Sequence, residues 1–178
     1  MTKRAQLPFS VWLPAAIAAP MPISALVHSS TLVTAGVYLM FRYYPLLRAL
    51  DGVLVLLRKV GCLTFLMASL GACLESDVKK LIALSTLRHV GFMVYILGLG
   101  YPVLGVFHLF CHALFKSLLF MCAGYFVHNT VDSSQDIRQL CGIGWGSSSL
   151  LVSCAVIGFS SLCGVPYLGG FYSKIFWV

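Results

Sequence analysis

Two histidines and a lysine follow one another at four-residue intervals inside a long apolar stretch of the sequence. His108, His112 and Lys116 lie between Val103 and Val127, a run long enough to cross a bilayer as one helix. Four residues make slightly more than one helical turn, so the side chains form a slowly drifting stripe, each about 6 Å further along the axis. Titratable groups at bilayer depth cost free energy unless water or a partner solvates them. The spacing therefore favours the movement of protons or ions.

Each of these residues also has a simpler interpretation. A lysine near a helix end can snorkel to the membrane surface, although Lys116 lies in the middle of the predicted span. His108 and His112 could make ordinary hydrogen bonds between helices. Three such groups on one stripe make a functional role the better hypothesis. Desolvation favours a neutral amine and a nearby carboxylate favours a charged one, so an acid that approaches or withdraws could switch a buried lysine between loading and release.

The composition indicates an integral membrane protein. Of 178 residues, 60% are hydrophobic and 10% are charged, and the mean hydropathy is +0.94. The net charge of +7 reflects only five acidic residues, and no basic cluster is long enough to follow a phosphate backbone, which argues against nucleic-acid binding. The seven cysteines occur singly, without a Cys-x-x-Cys pair, so we expect no metal or iron–sulfur site.

The succession of apolar runs long enough to cross a bilayer predicts an all-α integral membrane protein, a multi-span helix bundle that forms a single membrane domain over 1–178. A short apolar segment bounded by prolines predicts half a helix, which is broken because it is too short to span alone. Near the other end of the chain, glycines and a proline predict a second broken helix before Lys174. The predicted elements are the half-helix 8–20 and spans at about 24–42, 53–74, 78–99, 103–128 and 149–170.

Several sequence blocks resemble the largest antiporter-like subunit, subunit 5, of proton-pumping NADH:ubiquinone oxidoreductase (complex I). The chain carries H-S-S-T-L-V-T-A-G from His28, D-V-K-K-L-I-A-L-S-T from Asp77, H-L-F-C-H-A-L-F-K-S-L-L-F from His108 and G-V-P-Y-L-G-G-F-Y-S-K from Gly164. The blocks occur in the family's order along nearly the whole chain. The first of them favours subunit 5 over its two smaller paralogues.

The resemblance implies roles for particular residues. It assigns a proton pathway to Lys3, His28, His108, His112, Lys116 and Lys174. It adds Asp77, Lys79 and Lys80 as accessory charges at a helix start, although the sequence alone favours Lys79 and Lys80 as ordinary flanking charges at the membrane surface. His28 stands beside serines and could equally make a structural contact. None of these residues is expected to be catalytic or to bind a cofactor.

Departures from the family pattern lead to further expectations. The glutamate that pairs with Lys3 in the family would lie upstream of Met1, and Ile175 stands where the family usually has Asp. Arg88 and His89 replace a usual Ser-Gln or similar pair. We expect the chain to be the central fragment of a split subunit, completed by separately encoded chains, one of which supplies a glutamate to Lys3.

The function implied by the resemblance is proton translocation in the membrane arm of complex I, coupled to electron transfer from NADH to ubiquinone. NADH, FMN, the iron–sulfur clusters and ubiquinone would then belong to other subunits. The expected partners are the other membrane-arm subunits and the lipid bilayer, and the expected location is the mitochondrial inner membrane or, alternatively, a bacterial plasma membrane. Two other functions stay open: a subunit of a multi-subunit cation/proton antiporter, and a structural fragment that does not conduct.

Overall fold

The computed structural model describes residues 31–130, 135–138 and 148–175. All the secondary-structure elements within these residues are helices, and the prediction of an all-α membrane bundle is confirmed. The helices are α1 (Leu32–Arg42), α2 (Tyr44–Arg48), α3 (Asp51–Leu74), α4 (Val78–Leu99), α5 (Pro102–His128), α6 (Ser149–Cys163) and α7 (Gly169–Ile175).

Three of the described helices are long and apolar enough to cross a membrane. They are α3, α4 and α5, with 24, 22 and 27 residues, or about 33 to 40 Å at 1.5 Å per residue, against a hydrocarbon core of about 30 Å. They correspond to the predicted spans 53–74, 78–99 and 103–128. Only the end of the predicted span 24–42 is described, as α1, and the predicted half-helix 8–20 lies outside the described residues.

The predicted span 149–170 is wrong as one continuous helix. The helix α6 ends at Cys163, where Gly164 adopts a left-handed conformation with φ 86°, and α7 begins at Gly169. Gly164 permits this conformation because it has no Cβ, and Pro166 has no backbone N–H to continue the helical ladder. The helix break that these residues predicted is confirmed, and it begins several residues earlier than expected.

The helix α4 lies at the centre of the described bundle, where it packs against α1, α3 and α5. Glycines let α3 and α4 approach closely. A Cβ added at Gly61 would lie 2.6 Å from the backbone nitrogen of Tyr95, and one added at Gly91 would lie 2.6 Å from Thr64 Oγ1. Close approach through small residues is the usual way to pack helices in lipid, where apolar burial alone gives little drive to associate.

A tight turn places α4 beside α5. Gly100 ends α4 with φ 104°, and its N–H donates to the carbonyl of Leu97 at 3.2 Å. Pro102 then begins α5, a position where its missing N–H costs nothing. Because the two helices return side by side, the polar residues in the middle of α4 face the His-Lys stripe of α5.

Candidate functional site: a buried polar axis

The stripe on α5 points into the bundle. His108, His112 and Lys116 have 0%, 1% and 0% of their surface exposed. The prediction that they face the interior rather than lipid is therefore confirmed. Lys116 is among the largest fully buried side chains of the described structure, so its solvation depends on the groups packed around it.

The helix α4 supplies the oxygen atoms that solvate the Lys116 amine. Lys116 Nζ donates to Ser85 Oγ and, at 3.3 Å, to the backbone carbonyl of Ile82. Ser85 Oγ also donates to that carbonyl at 2.7 Å. Among residues 31–130, 135–138 and 148–175, no carboxylate forms an ion pair with Lys116. The amine therefore rests on neutral hydrogen-bond acceptors.

A third histidine, which the sequence analysis did not select, joins the two on α5. His89, on α4, is 3% exposed, and its Nδ1 lies 3.0 Å from His108 Nε2. The ring centroid of His89 lies 5.2 Å from the ring centroid of His108 and 5.2 Å from that of His112. His89 stands in the middle of a predicted span, so the rule that selected the stripe on α5 would have identified it too.

His112 differs from the other two histidines of this cluster because its ring nitrogens make no hydrogen bond to the described residues. Both of its ring nitrogens are buried, and neither has a hydrogen-bond partner among the described residues. A buried polar atom left unpaired costs about 1–3 kcal/mol, so such positions are rare unless they serve a purpose. No three His, Cys, Asp or Glu side chains in the described part of the chain are arranged to hold a metal ion.

The axis continues from His108 to the broken helix. His108 Nδ1 lies 2.9 Å from Ser173 Oγ on α7, and Ser173 is 1% exposed. Lys174 Nζ donates to the carbonyl of Leu162 at 2.6 Å. Because α6 stops at Cys163, its last carbonyls lack donors from a following turn, and the amine satisfies one of them. No acid among the described residues pairs with Lys174.

A cavity of about 490 Å³ lies between the histidine cluster and Lys174. Its polar lining consists of Arg88, His89 and Lys174, and its apolar lining of Phe65, Phe92, Leu162 and Cys163. A space of this size can hold several waters, each of which takes about 30 Å³ in the liquid. The cavity gives the polar axis a side branch that ends at the break between α6 and α7.

The accessory charges occupy two different environments at the start of α4. Lys80 forms an ion pair with Asp77 at 2.7 Å and a longer one with Glu75 at 3.9 Å, near the surface of the described bundle. Hydrogen bonds from Lys80 and with Asp136 lower the pKa of Asp77 from its ordinary value. Lys79, which the sequence favours as an ordinary flanking charge at the membrane surface, stands in the first turn of α4. It is only 6% exposed, because α4 is enclosed by neighbouring helices over most of its circumference.

The other residues of the predicted pathway cannot be placed on this axis. Lys3 and His28 lie outside the described residues. Their assigned roles, and the glutamate expected to pair with Lys3, stay predictions.

A bundle of apolar spans that buries a file of lysine, serine and histidine side chains and ends at a broken helix defines an antiporter-like membrane protein. The chain belongs to the family described as NADH:quinone oxidoreductase/Mrp antiporter, transmembrane region, whose model matches residues 1–178.

Curated relatives and solved structures agree with this membership. The chain is 57% identical to NADH-ubiquinone oxidoreductase chain 5 of Locusta migratoria and 58% identical to that of Aedes aegypti, in each case over 98% of this chain and 30% of the relative. It thus spans about 30% of the length of these relatives. The insect relatives and the apolar spans support a multi-pass protein of the mitochondrial inner membrane.

Two solved complexes contain the same fold. In the Mrp complex from Dietzia sp., the match has a TM-score of 0.83 and 35% identity over 97% of this chain and 19% of that one. In a membrane-bound sulfane sulfur reductase, an archaeal respiratory membrane complex, it has a TM-score of 0.86 and 32% identity over 98% of this chain and 36% of that one. Both neighbours belong to multi-subunit membrane assemblies.

Proposed function

We propose that this chain carries protons through the membrane arm of respiratory complex I, where the pumping is coupled to electron transfer from NADH to ubiquinone. The observation that carries the proposal is a fully buried lysine, Lys116, solvated by neutral groups on the neighbouring helix and preceded along its own helix by His112 and His108. Such a lysine can bind and release a proton with little rearrangement, because no carboxylate of the described residues holds it in its charged state.

The chemistry of the axis favours protons over metal cations. A sodium or calcium ion needs several oxygen ligands, and carboxylates commonly supply them. The described axis offers amines, imidazoles and serine hydroxyls instead. Amines and imidazoles exchange protons and repel metal cations when protonated. This distinction supports proton transfer along the axis. The complex I function is favoured over the alternative, a cation/proton antiporter subunit, by the 57% identity to NADH-ubiquinone oxidoreductase chain 5 against 35% for the Mrp complex.

A purely structural role is the second alternative, and His112 argues against it. An inert scaffold would be more stable with an apolar side chain at this position, since both imidazole nitrogens are buried without a partner in the described structure. A histidine that must accept and pass on a proton gains from a surrounding that holds neither nitrogen in place.

We further propose that this chain performs no redox chemistry itself. NADH, FMN, the iron–sulfur clusters and ubiquinone would be bound by other subunits, and the partners would be the remaining membrane-arm subunits. The names of the insect relatives support membership of such an oxidoreductase.

Replacement of Lys116 by methionine tests the proposal. The assembled complex carrying Lys116→Met is reconstituted into vesicles, and proton uptake is measured against NADH oxidation. We expect fewer protons translocated per NADH oxidised, because methionine has a similar length and cannot hold a proton. The matched control is Lys59→Met, which removes a lysine from the exposed surface of α3. Equal ratios for Lys116→Met, Lys59→Met and the unmodified complex would contradict the proposal.

A further inference from the structure

Arg88 and His89 stand side by side at the edge of the cavity and close to the polar axis. The Nη2 atom of Arg88 lies 3.5 Å from His89 Nε2, longer than the usual range for an N–H donor, so the contact is a weak hydrogen bond. A guanidinium group has donors only and stays protonated at any physiological pH. Whatever faces Arg88 must therefore present an acceptor.

This requirement fixes the direction of the hydrogen bonds that follow. If His89 Nε2 accepts from Arg88, the neutral ring carries its proton on Nδ1 and donates it to His108 Nε2, 3.0 Å away. His108 then carries its own proton on Nδ1 and donates to Ser173 Oγ at 2.9 Å. Ser173 Oγ in turn donates to the carbonyl of Gly170 at 3.2 Å. Every donor in this series of hydrogen bonds points from Arg88 towards the broken helix.

The opposite direction fails at both ends. With the His108 proton on Nε2, that ring would donate to His89 Nδ1, and His89 would point its remaining N–H at the guanidinium donors of Arg88. At the other end, Ser173 would donate to His108 and lose its bond to the Gly170 carbonyl. Two unfavourable contacts thus oppose the reversed chain.

We propose that Arg88 and His89 are positioning residues that fix the protonated nitrogen of His108, so that its Nδ1–H points at Ser173 and the break between α6 and α7. The inference rests on the proposed proton-carrying function of His108 and adds to it a defined orientation. A glutamine at position 89 could make the same two hydrogen bonds, because an amide oxygen can accept from a neighbouring donor while the amide N–H₂ donates to the imidazole.

Two substitutions of His89 separate positioning from packing. In the assembled complex, His89→Leu removes both hydrogen bonds, and we expect the proton-pumping rate to fall roughly two- to tenfold, the population change that one neutral hydrogen bond controls. His89→Gln restores an acceptor and a donor, and we expect it to retain clearly more pumping than His89→Leu. Equal losses in both variants would overturn the inference.

A spectroscopic measurement reports the orientation without reference to rate. The nitrogen-15 signals of His108, assigned by their loss in His108→Gln, distinguish a proton on Nδ1 from one on Nε2. We expect the Nδ1–H form in the unmodified complex and in His89→Gln, and a mixture of both forms in Arg88→Met and His89→Leu. The Nε2–H form in the unmodified complex, or an unchanged spectrum in Arg88→Met, would refute the positioning role.

A double substitution tests whether His89 and Ser173, the hydrogen-bond partners of the two ring nitrogens of His108, both act through that residue. Ser173→Ala and His89→Leu each release one ring nitrogen of His108, so we expect their effects on pumping to be less than additive when combined. Additive losses would contradict a shared role. These results are separable from the proposed function: if Lys116→Met leaves pumping intact, the proposed function fails, whereas loss in Lys116→Met without loss in His89→Leu refutes only the positioning role.

Discussion

Replacement of Lys116 by methionine separates the stability of the bundle from its function. Lys116 is fully buried and has no acid partner among the described residues. Its interactions in the folded protein therefore offset only a small part of the free energy that its amine loses on leaving water. Methionine fills a similar volume and needs no hydrogen bond. We expect Lys116→Met to assemble and to be at least as stable as the unmodified chain.

The magnitude follows from the atoms left behind. The amine donates to Ser85 Oγ and to the carbonyl of Ile82, and loss of these bonds costs about 1–3 kcal/mol. Ser85 still donates to the Ile82 carbonyl at 2.7 Å, so neither oxygen is left without a partner. Replacing a buried ionisable group by an apolar one of similar volume is often neutral or stabilising by about 1–4 kcal/mol. That range already includes the hydrogen bonds lost with the ionisable group, so the net change is between about zero and 4 kcal/mol of stabilisation.

The change in stability is measured by heating the purified complex and recording how much of this chain remains assembled at each temperature. The reference for a destabilised core is Leu119→Ala on the same helix. Leu119 is 1% exposed, and its truncation should cost about 2–5 kcal/mol. A melting temperature of Lys116→Met as low as that of Leu119→Ala would show that Lys116 supports the fold, and the reasoning would be refuted.

Three further predictions concern the helix packing and the surface of the bundle. Gly61→Ala should destabilise the complex by about 1–3 kcal/mol because its Cβ would lie 2.6 Å from the backbone of α4. The control is Gly71→Ala, whose added Cβ has its nearest neighbour at 3.9 Å and which should be neutral or stabilising. Equal melting temperatures for the two variants would contradict the close packing of α3 on α4. The hydrogen bond from Lys80 lowers the pKa of Asp77, so the stabilisation that this bond provides is present above the ordinary pKa and is lost as the pH falls through the lowered value. The melting temperature of Asp77→Asn should lie slightly below that of the unmodified complex near pH 7 and match it in strong acid. A difference that persists in acid would show that the ionised Asp77 carboxylate is not the source of the stabilisation. Tyr167 is 90% exposed at φ 70°, so Tyr167→Gly should stabilise the break between α6 and α7 by up to about 1 kcal/mol, and a lower melting temperature would argue against strain there.

The stripe on α5 could be predicted from the sequence because one strong rule governs it. Ionisable groups in a span avoid lipid, so His108, His112 and Lys116 had to face the interior. The rule does not identify their partners. Ser85 comes from α4, and its contact with Lys116 depends on how α4 and α5 pack, which no local pattern encodes. Sequence periodicity therefore gives the face of a helix but not the neighbour that it meets.

The broken helix shows the same limit at the level of the backbone. Gly164 and Pro166 predict a break, and the structure has one. Its first residue was misplaced because a glycine can continue a helix as well as end it, and only the left-handed conformation at Gly164 decides. The bond from Lys174 to the Leu162 carbonyl then depends on where α6 stops, and it could not be inferred from spacing.

The burial of Lys79 was not expected, because a basic residue close to a helix start resembles a surface anchor as long as the helix is considered alone. In the structure α4 is the most enclosed of the three apolar spans. The burial of a residue on a membrane helix depends on the number of neighbouring helices, and this number follows from the tertiary arrangement rather than from the sequence of the helix.

The most direct test of proton conduction along the axis is the number of protons translocated per NADH oxidised by the complex carrying His112→Leu. Both ring nitrogens of His112 are buried without a partner in the described part of the chain, so leucine breaks no hydrogen bond there and should not lower the melting temperature. We expect a lower proton ratio in a complex that is at least as stable as the unmodified one. An unchanged ratio in that stable complex would show that protons do not pass through His112.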